Sequence, residues 1–227
     1  PEKLNVLNIN SGSKETQTWE SQPTLSKDGK HIFYISDRPL LTDSEQKRSD
    51  LNIWYSKLDD DENWTQPVAV ADLNTEYNEY TPQIGPDGKY LFFASDRQGG
   101  KGGYDLYAAE FKNGQIGTEF GVVQSAEYLL TNKTCGPQLR NKELNTSYDD
   151  IFPFFYENEQ NKKFNKGIYW TSDKQGGYGN LDNYGCALSI ESIKIEVVEI
   201  NKKTGKKIPL KDNPYIYLYE VDKSNKE

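Results

Sequence analysis

The sequence predicts an all-β fold, three β-propeller blades followed by the beginning of a small β-sandwich, and three observations predict it. Residues 73–82 (LNTEYNEYTP) recur with identical spacing at 144–153 (LNTSYDDIFP) and more loosely in 9–23. Each copy leads to a short aromatic and β-branched run that ends in one triplet: Ser36-Asp37-Arg38, Ser95-Asp96-Arg97 and Ser172-Asp173-Lys174. Between these runs stand Asp28-Gly29, Asp87-Gly88 and glycine-rich loops, and no stretch shows helical periodicity. Short strands joined by tight turns, in a repeat of this size, are the signature of propeller blades.

The elements follow in order within each copy. An acid stands three residues before a proline: Glu20 before Pro23, Glu79 before Pro82, Asp150 before Pro153. The Asp-Gly turn comes next in the first two copies, because glycine accepts the positive φ that a tight hairpin demands. The third copy has a polar stretch, 157–163, in its place. Strands are then expected over 31–35, 90–94 and 167–171, and, after a loop, over 50–55, 104–107 and 180–184. The strand following the acid–proline step is expected to be innermost in its blade. The three blades fill residues 1–189. Residues 190–227 change character: 192–200 alternates as a strand, a Lys- and Gly-containing turn follows, and 215–219 alternates again. Three blades do not close a ring of ~4–8, and position 1 is not Met, so a larger parent protein is expected, with association of copies as an alternative.

Composition excludes several classes. The 227 residues carry 27 Lys and Arg against 35 Asp and Glu, a net charge of −8 that disfavours a nucleic-acid groove or an anionic membrane surface. No run approaches the ~18 apolar residues of a membrane-spanning helix, and 13% aromatic residues argue against disorder.

The chemistry-bearing residues are few. His31 is the sole histidine and fills the slot of Tyr90 in the second copy, so no Ser-His-Asp or multi-histidine zinc set can be assembled. Asp59, Asp61 and Asn63 open like a calcium loop, but Trp64 stands where its glycine belongs and Val70 where its glutamate belongs. Asp37, Asp96 and Asp173, with Glu20, Glu79 and Asp150 and the prolines Pro23, Pro82 and Pro153, recur in every copy. Recurrence marks them as residues of the fold, since catalytic groups are unique within a ring. The glycines at 99, 100, 102 and 103 precede no helix, so they make no phosphate cradle. Cys135 and Cys186 leave two readings open: a disulfide stapling the third copy in an oxidising compartment, or two small buried hydrophobes in a reducing one. Trp54, Tyr104 and Tyr178 are candidate exposed platforms for stacking a sugar. No cofactor and no metal are expected.

Taken together, Trp64-Thr65-Gln66-Pro67, Leu73-Asn74-Thr75, Glu79, Pro82, Asp87-Gly88-Lys89, Phe92 to Arg97 and Tyr104-Asp105-Leu106-Tyr107 resemble the WD-like Tol-type propeller repeat. The version is similar to that of Bacteroidetes OmpA-family outer-membrane proteins, including the PorE-like component of the type IX secretion apparatus. The tail, with Lys203 to Pro209, resembles the start of a carboxypeptidase regulatory-like domain. The resemblance implies a non-catalytic protein-binding scaffold, periplasmic and outer-membrane associated, within a secretion or peptidoglycan-linked assembly. Its implied partners are other envelope proteins, with no nucleic acid and no transmembrane segment in this chain. No peptidoglycan-binding domain is recognisable here, so that role passes to no residue. The alternatives are a carbohydrate-binding module and the propeller domain of a larger hydrolase. Binding is expected where the copies differ: loops 40–50 and 124–141 and tips 98–103 and 175–180.

Overall fold

A computed structural model describes residues 4–8, 18–40, 50–126, 144–157, 166–187, 199–200 and 207–208. The chain divides into two compact units, Pro1–Ser189 and Ile190–Glu227. The first is all-β, with three antiparallel sheets whose strands lie in sequence order. Blade 1 is β1 (Glu20–Leu25), β2 (His31–Ser36), β3 (Asn52–Lys57) and β4 (Val68–Ala69). Blade 2 is β5 (Glu79–Ile84), β6 (Tyr90–Ser95), β7 (Asp105–Glu110) and β8 (Gln124–Ser125). Blade 3 shows β9 (Asp150–Glu157), β10 (Lys166–Ser172) and β11 (Asp182–Ala187), and residues 188–198 after it lie outside the described ones. These are propeller blades. In the second unit, β12 (Glu199–Ile200) pairs with β13 (Lys207–Ile208), and the rest of the expected sandwich lies outside the described residues.

The turns form where the sequence placed them. Gly29 and Gly88 adopt φ of 71° and 67°, and the preceding Asp28 and Asp87 carboxylates accept the N–H groups of Lys30 and Lys89. Strands β2 and β6 are buried on both faces, which explains why they read as continuous apolar runs: β6 lies between blade 1 and blade 3, and β2 between blade 2 and the segments that carry Leu7 and Leu40. Phe33, Ile53 and Tyr55 of blade 1 pack against Leu91, Phe93 and Phe111 of blade 2. Phe92, Ala94 and Leu106 on the opposite face of blade 2 pack against Ile151, Ile168 and Trp170 of blade 3. Burying each such large side chain contributes about 1.5–3 kcal/mol, so these seams hold the arc together.

The acid–proline segment is not a lead-in to the blade; it is itself the strand through which the blades touch, β1 lying beside β5 and β5 beside β9. The proline is accommodated by a β-bulge on a strand at the edge of its sheet, both settings in which its missing N–H is tolerated. Register shifts between Ser21 and Thr24, between Tyr80 and Gln83, and opposite Tyr169 to Thr171. The bulged residue just before the proline has positive φ each time: Gln22 at 53°, Thr81 at 51°, Phe152 at 56°. Three non-glycine residues in this region at one repeat position mark a shared, strained corner.

Candidate functional site

Every signature residue gathers at one end of the blades, where the loop after the second strand meets the segment leading to the first. In blade 2 the Glu79 carboxylate is fully buried and accepts from Thr75 N, Thr75 Oγ1, Ser95 Oγ and Arg97 Nη2 at 2.6–3.3 Å. Burial pushes its pKa up, against the pull of those bonds and of Arg97. The Arg97 guanidinium also donates to the Leu73 carbonyl and stacks between Phe93 and Tyr107, 5.0 Å from each ring centroid. Blade 1 repeats the device: Arg38 bonds Glu20 and the Leu7 carbonyl and lies 4.7 Å over Trp54. In blade 3, Asp150 accepts from Thr146 N and Oγ1, and Lys174 Nζ sits 3.5 Å from the Tyr184 ring centroid. Burial raises the Asp150 pKa, and the Asp105 charge adds to it.

The triplet aspartates have one shared task. Asp37 accepts the N–H of Trp19, Asp96 that of Asn78 and Asp173 that of Asp149, at 2.7–2.8 Å. Each fastens the residue before the repeat acid, the backbone-capping use of a short carboxylate.

Two inter-blade devices were not legible in the sequence. Asn74 grips the outer edge of β3, its Oδ1 accepting Ile53 N and its Nδ2 donating to Ile53 O. Asn145 grips Leu106 of β7 in the same way and adds a bond to Ser125 Oγ. The identical Leu-Asn-Thr spacing was the available signal, but not that its amide reaches across to the preceding blade. The matching pair in the first copy is Leu7-Asn8, not the Ile9-Asn10 that sequence spacing favoured: Arg38 binds the Leu7 carbonyl as Arg97 binds that of Leu73. The second device links the bulges. Thr81 N donates to Gln22 Oε1, and Phe152 N donates to Thr81 Oγ1.

The candidate platform residues separate. Trp54 is buried, 4% exposed, beneath Arg38 and packed with Ile32 and Tyr34; the expectation that it presents a sugar platform is corrected, because its place on β3 faces inward. Tyr104 is half-buried against Tyr80, with burial first among the causes that push its pKa up to about 12. Tyr178 stands wholly outside the fold. Its tip is held by Asp182, whose Oδ2 accepts Tyr178 N and Gly179 N. Asp105 holds Lys101 N and Gly102 N in blade 2 likewise. The tip glycines serve packing: a Cβ on Gly177 would overlap the Asp182 carboxylate, and one on Gly102 the carbonyls of Tyr148 and Thr146.

At the opposite end, His31 Nδ1 lies 2.7 Å from Tyr55 Oη, the rings stacked. Burial lowers the His31 pKa and pushes Tyr55 up to about 12. The Asp59 loop is an Asx turn, its carboxylate accepting Asp61 N and Asn63 N. Among the described residues no three His, Cys, Asp or Glu side chains converge to hold a metal ion, and no helix is long and apolar enough to cross a membrane. Cys186 pairs through its backbone with Ile168 in β11, while Cys135, and with it the disulfide expectation, lies outside the described residues, as do 41–49 and 127–143 of the long loops.

No family model matches the chain, and no curated protein does. Among solved structures it is similar to a putative TolB from Agrobacterium tumefaciens, at 14% identity and TM-score 0.38 over 74% of this chain and 42% of that one. It is similar to TolB from Acinetobacter baumannii at 16% identity and TM-score 0.38, over 76% and 33%. A puromycin-hydrolyzing peptidase of Mycobacterium tuberculosis matches at 16% identity and TM-score 0.40, over 77% and 23%. The chain thus spans less than half the length of each. The class assigned here, an arc of β-propeller blades, rests on its own sheets, repeated bulges and repeated clasps.

Proposed function

We propose that the chain is a non-catalytic protein-binding scaffold of the bacterial cell envelope, periplasmic and associated with the outer membrane, within a secretion or peptidoglycan-linked assembly. The observation that carries the non-catalytic part is the commitment of the repeated acids. Asp37, Asp96, Asp173, Glu20, Glu79 and Asp150 each accept bonds from their own blade's backbone or side chains. What the fold leaves over lies on the tips, where Tyr178 projects from a loop whose base is fixed by Asp182. A rigidly based aromatic is a suitable anchor for a protein partner, because a two-torsion side chain loses little entropy on docking. The envelope placement draws on the repeat resemblance set out under Sequence analysis.

The test is capture of partners from an envelope extract by the intact chain, by Tyr178→Ala, and by a variant shortened in 98–103. Loss of recovery with either variant supports the reading; equal recovery with all three places the interface elsewhere. Turnover abolished by a single acid substitution would overturn the non-enzyme assignment. Tyr178 also supports the carbohydrate reading, and binding of the chain to a glycan array, lost in Tyr178→Ala, would favour that class instead.

A further inference from the structure

A cavity of about 660 Å³ opens at the seam of blades 1 and 2, at the end remote from the repeated acids. One wall is blade 1: Asp28 of the β1–β2 turn, His31 of β2, and Tyr55 and Lys57 of β3. The other is the blade 2 loop 115–118. His31 and Lys57 are cross-strand partners, so their side chains leave the sheet on one face. The repeat does not require these residues. At the positions of His31, Tyr55 and Lys57, blade 2 carries Tyr90, Ala108 and Glu110, and blade 3 carries Gly167, Gly185 and Ala187. Unlike the repeated acids, this polar group occurs in one blade of the three.

Much of its hydrogen-bonding capacity is unspent. Asp28 Oδ1 accepts Ser26 Oγ and the N–H of Lys30, while Oδ2 accepts from no described residue. Lys57 bonds through its backbone N–H to Thr65 Oγ1, and its ammonium donates to no described residue. Tyr55 Oη donates to the Ile116 carbonyl at 3.4 Å, so it receives the Nδ1 hydrogen of His31 at 2.7 Å. That selects the neutral imidazole with Nε2 bare, a second acceptor on a side chain that lines the cavity. On the loop wall, a Cβ at Gly117 would meet nothing within 4 Å.

This set of groups narrows the occupant. With His31 held neutral by burial, the wall presents one carboxylate and one ammonium. Tyr55 is 6% exposed, its ring flanked by His31 and Phe33, so no open aromatic face is left on which a sugar or a base would stack. The volume lies within the ~300–1,000 Å³ of small-molecule sites and exceeds what a single ion needs. We propose that this cavity binds a small zwitterion of the α-amino acid class, Asp28 Oδ2 and His31 Nε2 accepting its ammonium hydrogens and Lys57 Nζ donating to its carboxylate. The site does not involve the Tyr178 tip, and the inference stands apart from the partner-binding reading.

His31 is the sole histidine, so its ring Cε1–H signal in NMR spectra of the isotope-labelled full chain reports occupancy. The proteinogenic amino acids, titrated singly at millimolar concentrations, should include one that shifts this signal saturably. Its N-acetyl and α-amide derivatives, each lacking one charge, should bind at least tenfold more weakly. The parent amino acid should lose as much affinity for Asp28→Asn and for Lys57→Gln, both at exposed positions. Gly117→Leu fills open space at a residue whose φ lies outside the left-handed region; it should abolish the shift and keep the wild-type urea midpoint. Tyr178→Ala should bind as the wild type does. No saturable shift with any amino acid overturns the proposal. So does a shift that survives Gly117→Leu, or one that the two charge-removing variants and the two derivatives leave equally strong.

Discussion

Replacing Asn145 by Ala should cost about 2–4 kcal/mol of stability. The side chain supplies three bonds of 2.8–3.1 Å, to Leu106 N, Leu106 O and Ser125 Oγ. Asn145 is 3% exposed and Leu106 fully buried, so truncation strands one backbone donor and one backbone acceptor away from water. Each buried orphan costs about 1–3 kcal/mol, and partial water entry brings the pair below the full sum. With a urea slope of about 1–3 kcal/mol/M, the midpoint should fall by on the order of 1 M. Asn145→Asp should be at least as damaging: one carboxylate oxygen still accepts Leu106 N, but the other faces the Leu106 carbonyl in place of a donor. The assay is urea unfolding followed by far-UV CD and by tryptophan fluorescence, since Trp170 is buried in the same seam. Asn74→Ala should destabilise in the same way but by less, because Asn74 grips Ile53 with two bonds and lacks the third that Asn145 makes to Ser125 Oγ. Asn8→Ala, which removes one exposed bond to the Leu4 carbonyl of its own turn, should stay within about 0.5 kcal/mol of wild type. If Asn145→Ala also stays within about 0.5 kcal/mol, the clasp contributes nothing and the account of the seam is wrong.

Asp150 provides a pH test. Its carboxyl is raised in the folded chain, so the folded state holds the proton more tightly than the unfolded one between the ordinary value of 3.8 and the raised value, and stability from this group is lost as pH rises through the raised value. Asp150→Asn, which can still accept from Thr146, should gain on wild type between pH 4 and pH 8 in urea midpoints; parallel profiles would refute it. Gly102→Ala should cost about 1–3 kcal/mol because its Cβ meets backbone carbonyls that cannot swing away, whereas Gly117→Ala, with nothing within 4 Å, should be neutral; denaturant midpoints of the pair decide. Glu79→Ala should destabilise by about 3–5 kcal/mol because it leaves the Arg97 guanidinium, 14% exposed, without its carboxylate, with thermal unfolding as the measure and a loss under 1 kcal/mol as the refutation.

The fold class, the three copies, the Asp-Gly hairpins and the recurrence of Asp37, Asp96 and Asp173 were legible in the sequence. Turns and strand alternation are dictated by backbone sterics and by which face meets water, and both act within a few residues. The sequence also showed that the repeated acids behave as a set. What it could not show is which blade a side chain serves. That Asn145 reaches back to Leu106, 39 residues away, follows from the stacking of sheets. So does the hydrogen-bonded line from Gln22 to Thr81 to Phe152, which needs three prolines bulged at one radius of the arc. Trp54 illustrates the same boundary. On paper it is one aromatic of an expected strand, flanked by Ile53 and Tyr55, and only the packing of β3 beneath Arg38 makes it core rather than surface. Local chemistry determined the blades; the distance between blades, which no spacing in the chain encodes, decided which residues join them and which remain exposed to meet something else.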